Sequence, residues 1–285
     1  MREGVTHRHS SALGSWEFVS AAPGPQVRGL VTRYCGYVED SPGVRRRVEV
    51  PSSGTTLILS LGPTIDVGYP DLGAGARRHG CFVAALHDTW AQTSFSGRQE
   101  GVEVNLAPLA LHMLLGVPLH EIANRTVSLA DLLGREADEL VERLAGLPSW
   151  DARFALLDAT LHARLRDART PSPSIAWALR RLQASGGGLG VAELAGELGC
   201  SRRHLVAGFR EQVGLPPKRL ARILRFERVL SRLEREGGAR LGDIAADCGY
   251  YDQPHLNRDF RQFTGSSPGE WLARRMPDGA GTAAA

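Results

Sequence analysis

Gln253, His255, Asn257, Arg258 and Arg261 fall within nine residues, QPHLNRDFR, and are interleaved with Leu256 and Phe260 at a helical step. Gln and Asn can grip the edge of an adenine, and Arg can grip a guanine or a phosphate, so on one helix face these types do the chemistry of a major groove. A second set stands about fifty residues upstream. Arg202, Arg203, Val206, Ala207 and Arg210 surround Leu205 and Phe209, and there an arginine lies beside a small apolar stripe suited to a thymine methyl. On an ordinary helical hairpin either set would be a solvated face, and neither segment alone decides between the two.

The elements around them are more decisive. Leu241, Ile244, Ala245 and Cys248 share one face of a short helix, Gly249 ends it, and Pro254 opens the next, which runs to a Gly265-x-x-Pro268 stop. This is the pattern of a helix-turn-helix. Upstream, Leu194, Ala195, Gly199, His204, Leu205, Phe209, Gly214 and Pro217 answer Ile244, Ala245, Gly249, His255, Leu256, Phe260, Gly265 and Pro268. The offset is 50 before the turn and 51 after it, so the second turn carries one extra residue. Repetition on this scale marks a duplicated unit. Ser201 is a good N-cap for a recognition helix Arg202–Gln212. Between the copies, Lys218–Arg235 predicts a connecting helix with an arginine stripe at 219, 222, 225, 228, 232 and 235. Such a stripe usually solvates a face, with Glu227 pairing to nearby arginines and one or two arginines reaching phosphate.

The tandem arrangement, the string CGYYDQPHLNRDFRQFTGSSPGEW and the connecting helix resemble the DNA-binding domain of the AraC/XylS family of transcription regulators over residues 174–275. The resemblance implies that the connecting helix spaces the recognition helices for successive major grooves, about 34 Å apart. It also implies that Arg203, Val206 and Ala207 in the first copy, and Gln253, Asn257 and Arg258 in the second, approach bases. His255 and Arg261 would lie nearer the backbone, and Arg202 and Arg210 face outward on the first helix. Pro254 stands where the family usually has Ser, Leu256 where it has Phe, and Trp271 near a usual Tyr or Phe; none of these changes threatens the fold. Trp271 should anchor the closing helix.

A chain of 285 residues, 42% hydrophobic, has room for about two domains with sizeable cores. No apolar run approaches the roughly 18 residues of a membrane span, and the N-terminus lacks a signal-peptide core, so a cytoplasmic protein is expected. From Pro171 onward 17 Arg and Lys face 12 Asp and Glu, while before it acidic residues outnumber basic ones 19 to 17. The basic half is therefore the half with the duplicated unit, as phosphate contact requires. Cys200 and Cys248 read as small core residues, and Cys35 and Cys81 lie in expected strands with no zinc spacing.

Residues 1–27 read as a flexible N-terminus. Residues 28–169 read as a β-rich domain of barrel or sandwich type, with short strands near Gly29–Val38, Arg45–Val50, Thr55–Leu61, Ile65–Tyr69, Gly80–Leu86, Thr93–Ser96 and Val102–Leu106. Helices trail it at Leu109–Leu115, Leu129–Leu133, Arg135–Leu144 and Trp150–Arg166. This part resembles the uncharacterised sensor-like domain of one AraC-type subgroup, for which no ligand is implied. TPSPS at 170–174 is the expected boundary, Gly186–Gly188 a flexible loop and residues 276–285 a disordered tail. The whole is thus an α+β chain, with a β-rich N-terminal domain and an all-α C-terminal domain of two helix-turn-helix units joined by a linker helix.

The apolar seam Trp150, Phe154, Leu157, Leu161 and Leu165 suits either packing on the chain's own β-domain or a homodimer through Trp150–Arg166. His79, Cys81 and His87 could face a common site, but the carboxylate that would complete a metal centre is not at a matching spacing, so no metal and no cofactor are expected. Arg45–Arg47 reads as a solvated edge able to receive an anion. There is no catalytic motif, and the expectation is a regulator rather than an enzyme, with double-stranded DNA as partner and RNA polymerase and an unidentified small effector as further candidates. The alternatives are a metal-dependent barrel enzyme tethered to DNA and a ligand-independent protein that recruits partners.

Overall fold

The computed structural model describes residues 4–12, 14–235, 240–275 and 282–284. Among the described residues the β-domain holds one antiparallel sheet of ten strands, nine from the N-terminal half and one from the C-terminal end: β1 (Val5–Ser11), β2 (Gly14–Ala21), β3 (Val31–Glu49), β4 (Thr55–Ser60), β5 (Ile65–Tyr69), β6 (Ala74–His79), β7 (Phe82–Ala84), β8 (Ala91–Leu106), β9 (Thr126–Ser128) and β10 (Thr282–Ala283). The long partners β3 and β8 lose register between Ser41 and Arg45. A bulge there bends both strands. Beyond the bend, β8 leaves β4 for β5, and β3 leaves β2 for β10. Two pairs of short strands expected from the sequence are therefore single long ones.

Period-two alternation then divides β3 between two tasks. Tyr34 stacks on Phe154 from one face, and Gly36 is where the Trp150 ring lies, so any Cβ at 36 would enter that ring. Cys35, Tyr37 and Glu39 point to the other face, into a cavity. Short helices follow: α1 (Ala110–Leu115), α2 (Leu129–Leu133), α3 (Arg135–Ala145) and α4 (Trp150–Arg164). Along α4, Phe154, Leu157 and Leu161 are buried in the β-domain's own core. Of the two fates expected for this seam, the structure shows packing on the chain's own β-domain.

The helical half comprises α5 (Pro173–Ala184), α6 (Val191–Glu197), α7 (Arg202–Gln212), α8 (Pro217–Arg235), α9 (Leu241–Asp247), α10 (Gln253–Thr264) and α11 (Pro268–Ala273). Its core joins Leu205, Phe209, Phe226, Phe260 and Phe263, all essentially inaccessible to solvent. Trp271 is buried on α11, which opens with a complete Ser267–Glu270 capping box.

Both expected loose ends differ. Residues 5–11 and 14–21 form a hairpin, β1 on β2, with Trp16 buried beneath stacked His9. Thr282–Ala283 pairs with Arg47–Val48, and the remaining tail, 276–281 and 285, lies outside the described residues. Gly186–Gly187 is a packed turn rather than a flexible loop: both glycines have positive φ, Gly187 abuts the backbone of Ala221, and its carbonyl accepts from Arg225 at 3.0 Å.

Candidate nucleic-acid interface

The two helix-turn-helix units are built alike. α6 and α9 each end on a glycine of positive φ, Gly199 and Gly249, and the next amide reaches back to Ala195 at 3.0 Å and to Ala245 at 2.9 Å. These are matching Schellman closures. Each following helix then begins on a side-chain cap: Ser201 accepts from the amide of His204 at 3.1 Å, and Asp252 accepts from that of His255 at 2.7 Å. Leu205 and Phe209, or Leu256 and Phe260, lock the inner face into the core.

That leaves the expected residues outward. Arg202, Arg203, Ala207 and Arg210 are exposed on α7 and Val206 is half-buried; on α10 Gln253, Arg258 and Arg261 are exposed and His255 and Asn257 half-buried. Asn257 also has a side-chain oxygen buried with no partner among the described residues. Among the described residues none of Arg202, Arg203, Arg210 and Arg258 forms an ion pair, so their guanidinium groups are available to an outside acceptor.

The arginine stripe of α8 behaves differently. Arg222 binds Asp259 at 2.7 Å and Gln262 at 2.6 Å, Arg228 donates to the carbonyl of Asp247 at 2.6 Å, and Arg232 pairs with the Asp247 carboxylate at 2.9 Å. These are clamps from the connecting helix onto the second unit. Arg219 reaches across to Asp88 of the β-domain. Glu227 turns away from the arginines and accepts from the backbone amide of Ser53 at 2.7 Å, and burial there pushes its carboxyl up.

Two features escape a reading of the sequence. Tyr251 is 94% exposed beside the start of α10. It is the extra residue of the second turn: Tyr250 takes the place of Cys200, and the next position is pushed into solvent. The one-residue offset was the signal for it. The second feature has no local signal. The 3-10 turn Leu119–Glu121 packs on α7, and Pro118 and His120 share a cleft with Arg202, Arg203, Val206, Ala207 and Arg210. The β-domain thus stands over the exposed row of the first unit.

The β-domain encloses a cavity of 320 Å³. Arg47, expected on a solvated edge, instead lies inside it and holds Glu39 with both terminal nitrogens, one of them at 2.8 Å. His87 stacks on Tyr69, and burial holds its imidazole well below the usual range, at about 4. Among the described residues no three His, Cys, Asp or Glu form a metal-holding group. His79 instead tilts against Phe82, and the Cys81 thiol points to the carbonyl of Ser60. All four cysteines are free thiols.

Residues 194–274 match the family model described as a helix-turn-helix domain. A putative AraC-like transcription regulator of Streptomyces antibioticus is 37% identical over 87 residues, 30% of this chain and 28% of that protein. The match therefore spans under a third of that relative's length. Among solved structures, ToxT from Vibrio cholerae is 9% identical with a TM-score of 0.48, covering 84% of this chain and 97% of that one. The C-terminal domain of AraT, a response regulator from Geobacillus stearothermophilus, is 23% identical with a TM-score of 0.35, over 39% of this chain and 93% of that one. The helical half is an AraC-type helix-turn-helix domain. No helix among the described residues is long and apolar enough to cross a membrane.

Proposed function

We propose that this chain is a sequence-specific DNA-binding transcription regulator, whose two recognition helices, α7 and α10, enter successive major grooves and whose β-domain senses a small effector. The observation that carries the DNA reading is the pair of equivalent exposed rows, Arg202–Arg203–Val206–Ala207–Arg210 and Gln253–His255–Asn257–Arg258–Arg261, on two identically capped helices joined by one rigid helix. Arg203 and the Val206–Ala207 pair suit a guanine next to a thymine methyl, while Gln253 and Asn257 suit adenine and Arg258 guanine.

The sensory reading rests on how the same two segments serve both domains. Arg47 and Glu49 line the cavity while Val48 between them packs with the helical core. Ala85, His87 and Thr89 line it too, while Leu86 joins that core, Asp88 receives Arg219, and Trp90 lies 2.8 Å from where a Cβ on Gly265, the C-cap of α10, would stand. Alternation along β3, and the alternate residues of the segment that follows β7, thus set a cavity wall back to back with the docking surface. A ligand that shifts Arg47–Glu49 or Ala85–Thr89 would shift the grip on α8 and α10, and through it the cover that Pro118 and His120 place over α7.

Selection of randomised duplexes by the purified full-length protein at about 0.15 M salt, where non-specific phosphate binding is weakened, tests the reading. Enrichment of one motif with two blocks about a helical turn apart is the expected result. Recovery of unenriched sequence would overturn it.

A further inference from the structure

We propose that the cavity of the β-domain takes an uncharged molecule with an apolar, ring-sized body and one amide-like edge, a hydrogen-bond donor beside an acceptor, and that Gln99 reads that edge. The proposal rests on the sensory reading above and names its ligand. The walls are apolar, with Phe18, Ile58, Val67, Tyr69, Phe82 and Phe95 among them, and 320 Å³ is at the small end of ligand sites.

Gln99 lies opposite Glu39 in the β3–β8 register, lines this cavity and is 1% exposed, yet among the described residues neither its amide nitrogen nor its amide oxygen has a hydrogen-bond partner. The Tyr37 hydroxyl and the Arg47 Nε are likewise buried in the lining with no partner among the described residues. Buried polar groups are satisfied in all but a few cases, so a donor and an acceptor on one planar amide call for a planar counterpart offering both.

The charges around the cavity exclude ions of either sign. Arg47 is the cation of the lining, and its terminal nitrogens are held by Glu39. An anion would therefore meet the carboxylates of Glu39 and Glu103 with only the Arg47 Nε free to receive it. A cation fares no better. Glu39 is paired with Arg47, and Glu103 accepts from Asn105 at 2.8 Å and lies 3.7 Å from Arg33. Glu49 is engaged by Thr93 at 2.9 Å. The His87 imidazole is held neutral.

Calorimetric titration of the full-length protein with benzamide, N,N-dimethylbenzamide, benzoate and benzylamine tests the class without DNA. These share one ring and differ only in the polar edge. Benzamide should bind at least about tenfold more tightly than each of the others, since a site built around a buried donor and acceptor rejects analogues that leave one unpaired. In Gln99→Leu, and in Gln99→Met as a second shape-conserving variant, that preference should fall to under about threefold while the melting temperature holds or rises, because an unpaired buried amide is removed. Benzoate or benzylamine binding as tightly as benzamide would overturn the ligand class while leaving the sensory reading. No binding by any of the four would overturn both, leaving DNA recognition untouched. A benzamide preference that survives both variants would overturn the role of Gln99.

Discussion

The two helix-turn-helix units share caps, turn glycines and core phenylalanines, yet they are held by different parts of the molecule. The second is clamped from within its own domain, where Asp259 on the inner side of α10 is buried and receives Arg222 from the connecting helix. At the equivalent place in the first unit stands Gly208, against the Ile175 side chain of α5. The first unit is instead overlaid from outside, by Pro118 and His120 of the β-domain. A duplicated module is thus fixed in one copy by an ion pair within its own domain and overlaid in the other by a segment of the β-domain.

The sharpest way to break this comparison is Asp259→Ala. Removing the acid from a largely buried ion pair strands the Arg222 charge, and a loss of about 3 kcal/mol in urea unfolding is expected. No change would mean that the second unit owes nothing to its clamp. Next in size, Arg203→Ala and Arg258→Ala should each weaken binding to a selected duplex by about 1–3 kcal/mol and relax preference at different base pairs. If only Arg258→Ala does so, the first unit is a spectator.

Ser201→Ala and Asp252→Ala, which remove the two matched caps, should each cost about 1 kcal/mol by thermal unfolding. Asp88→Asn loosens the interdomain grip on Arg219, and DNA affinity in a fluorescence titration should rise by several-fold, or up to about 1 kcal/mol, as the competent arrangement becomes more populated. A fall in affinity would contradict the view that the β-domain restrains the first unit. The smallest effect belongs to Gly208→Ala. Its Cβ would approach the end of the Ile175 side chain at 2.5 Å, while a mid-helix alanine gains roughly 0.5–1 kcal/mol over glycine. The two terms should leave stability within about 1 kcal/mol.

Much of this is local chemistry, which is why the C-terminal half was legible. Caps, turn glycines and apolar steps act within one or two helical turns, and α7 lies where Ser201 and the Leu205–Phe209 step place it. Strand partners are not local. Nothing near Arg47 announces that its charge is met by Glu39 across a bulge, nor does the neighbourhood of Gln99 reveal that it faces the same cavity. Residues 5–11, polar almost throughout, form a strand because β2 offers them a ladder, not because of their own pattern. The exclusion of Glu227 from the arginine stripe has the same origin, since its partner amide is that of Ser53, far away in sequence.

The pairing of Thr282–Ala283 with Arg47–Val48 has a mechanical consequence. The helical domain leaves the β-domain through the linker at 170–172 and returns to it through this strand, so it is moored at both ends. DNA that pulls the first unit out from beneath Pro118 cannot carry the domain away. The displaced surface stays at an effective concentration of the order that short tethers give, about millimolar, and competes to close again. Such a protein would release DNA quickly unless something kept its own mooring from drawing it shut.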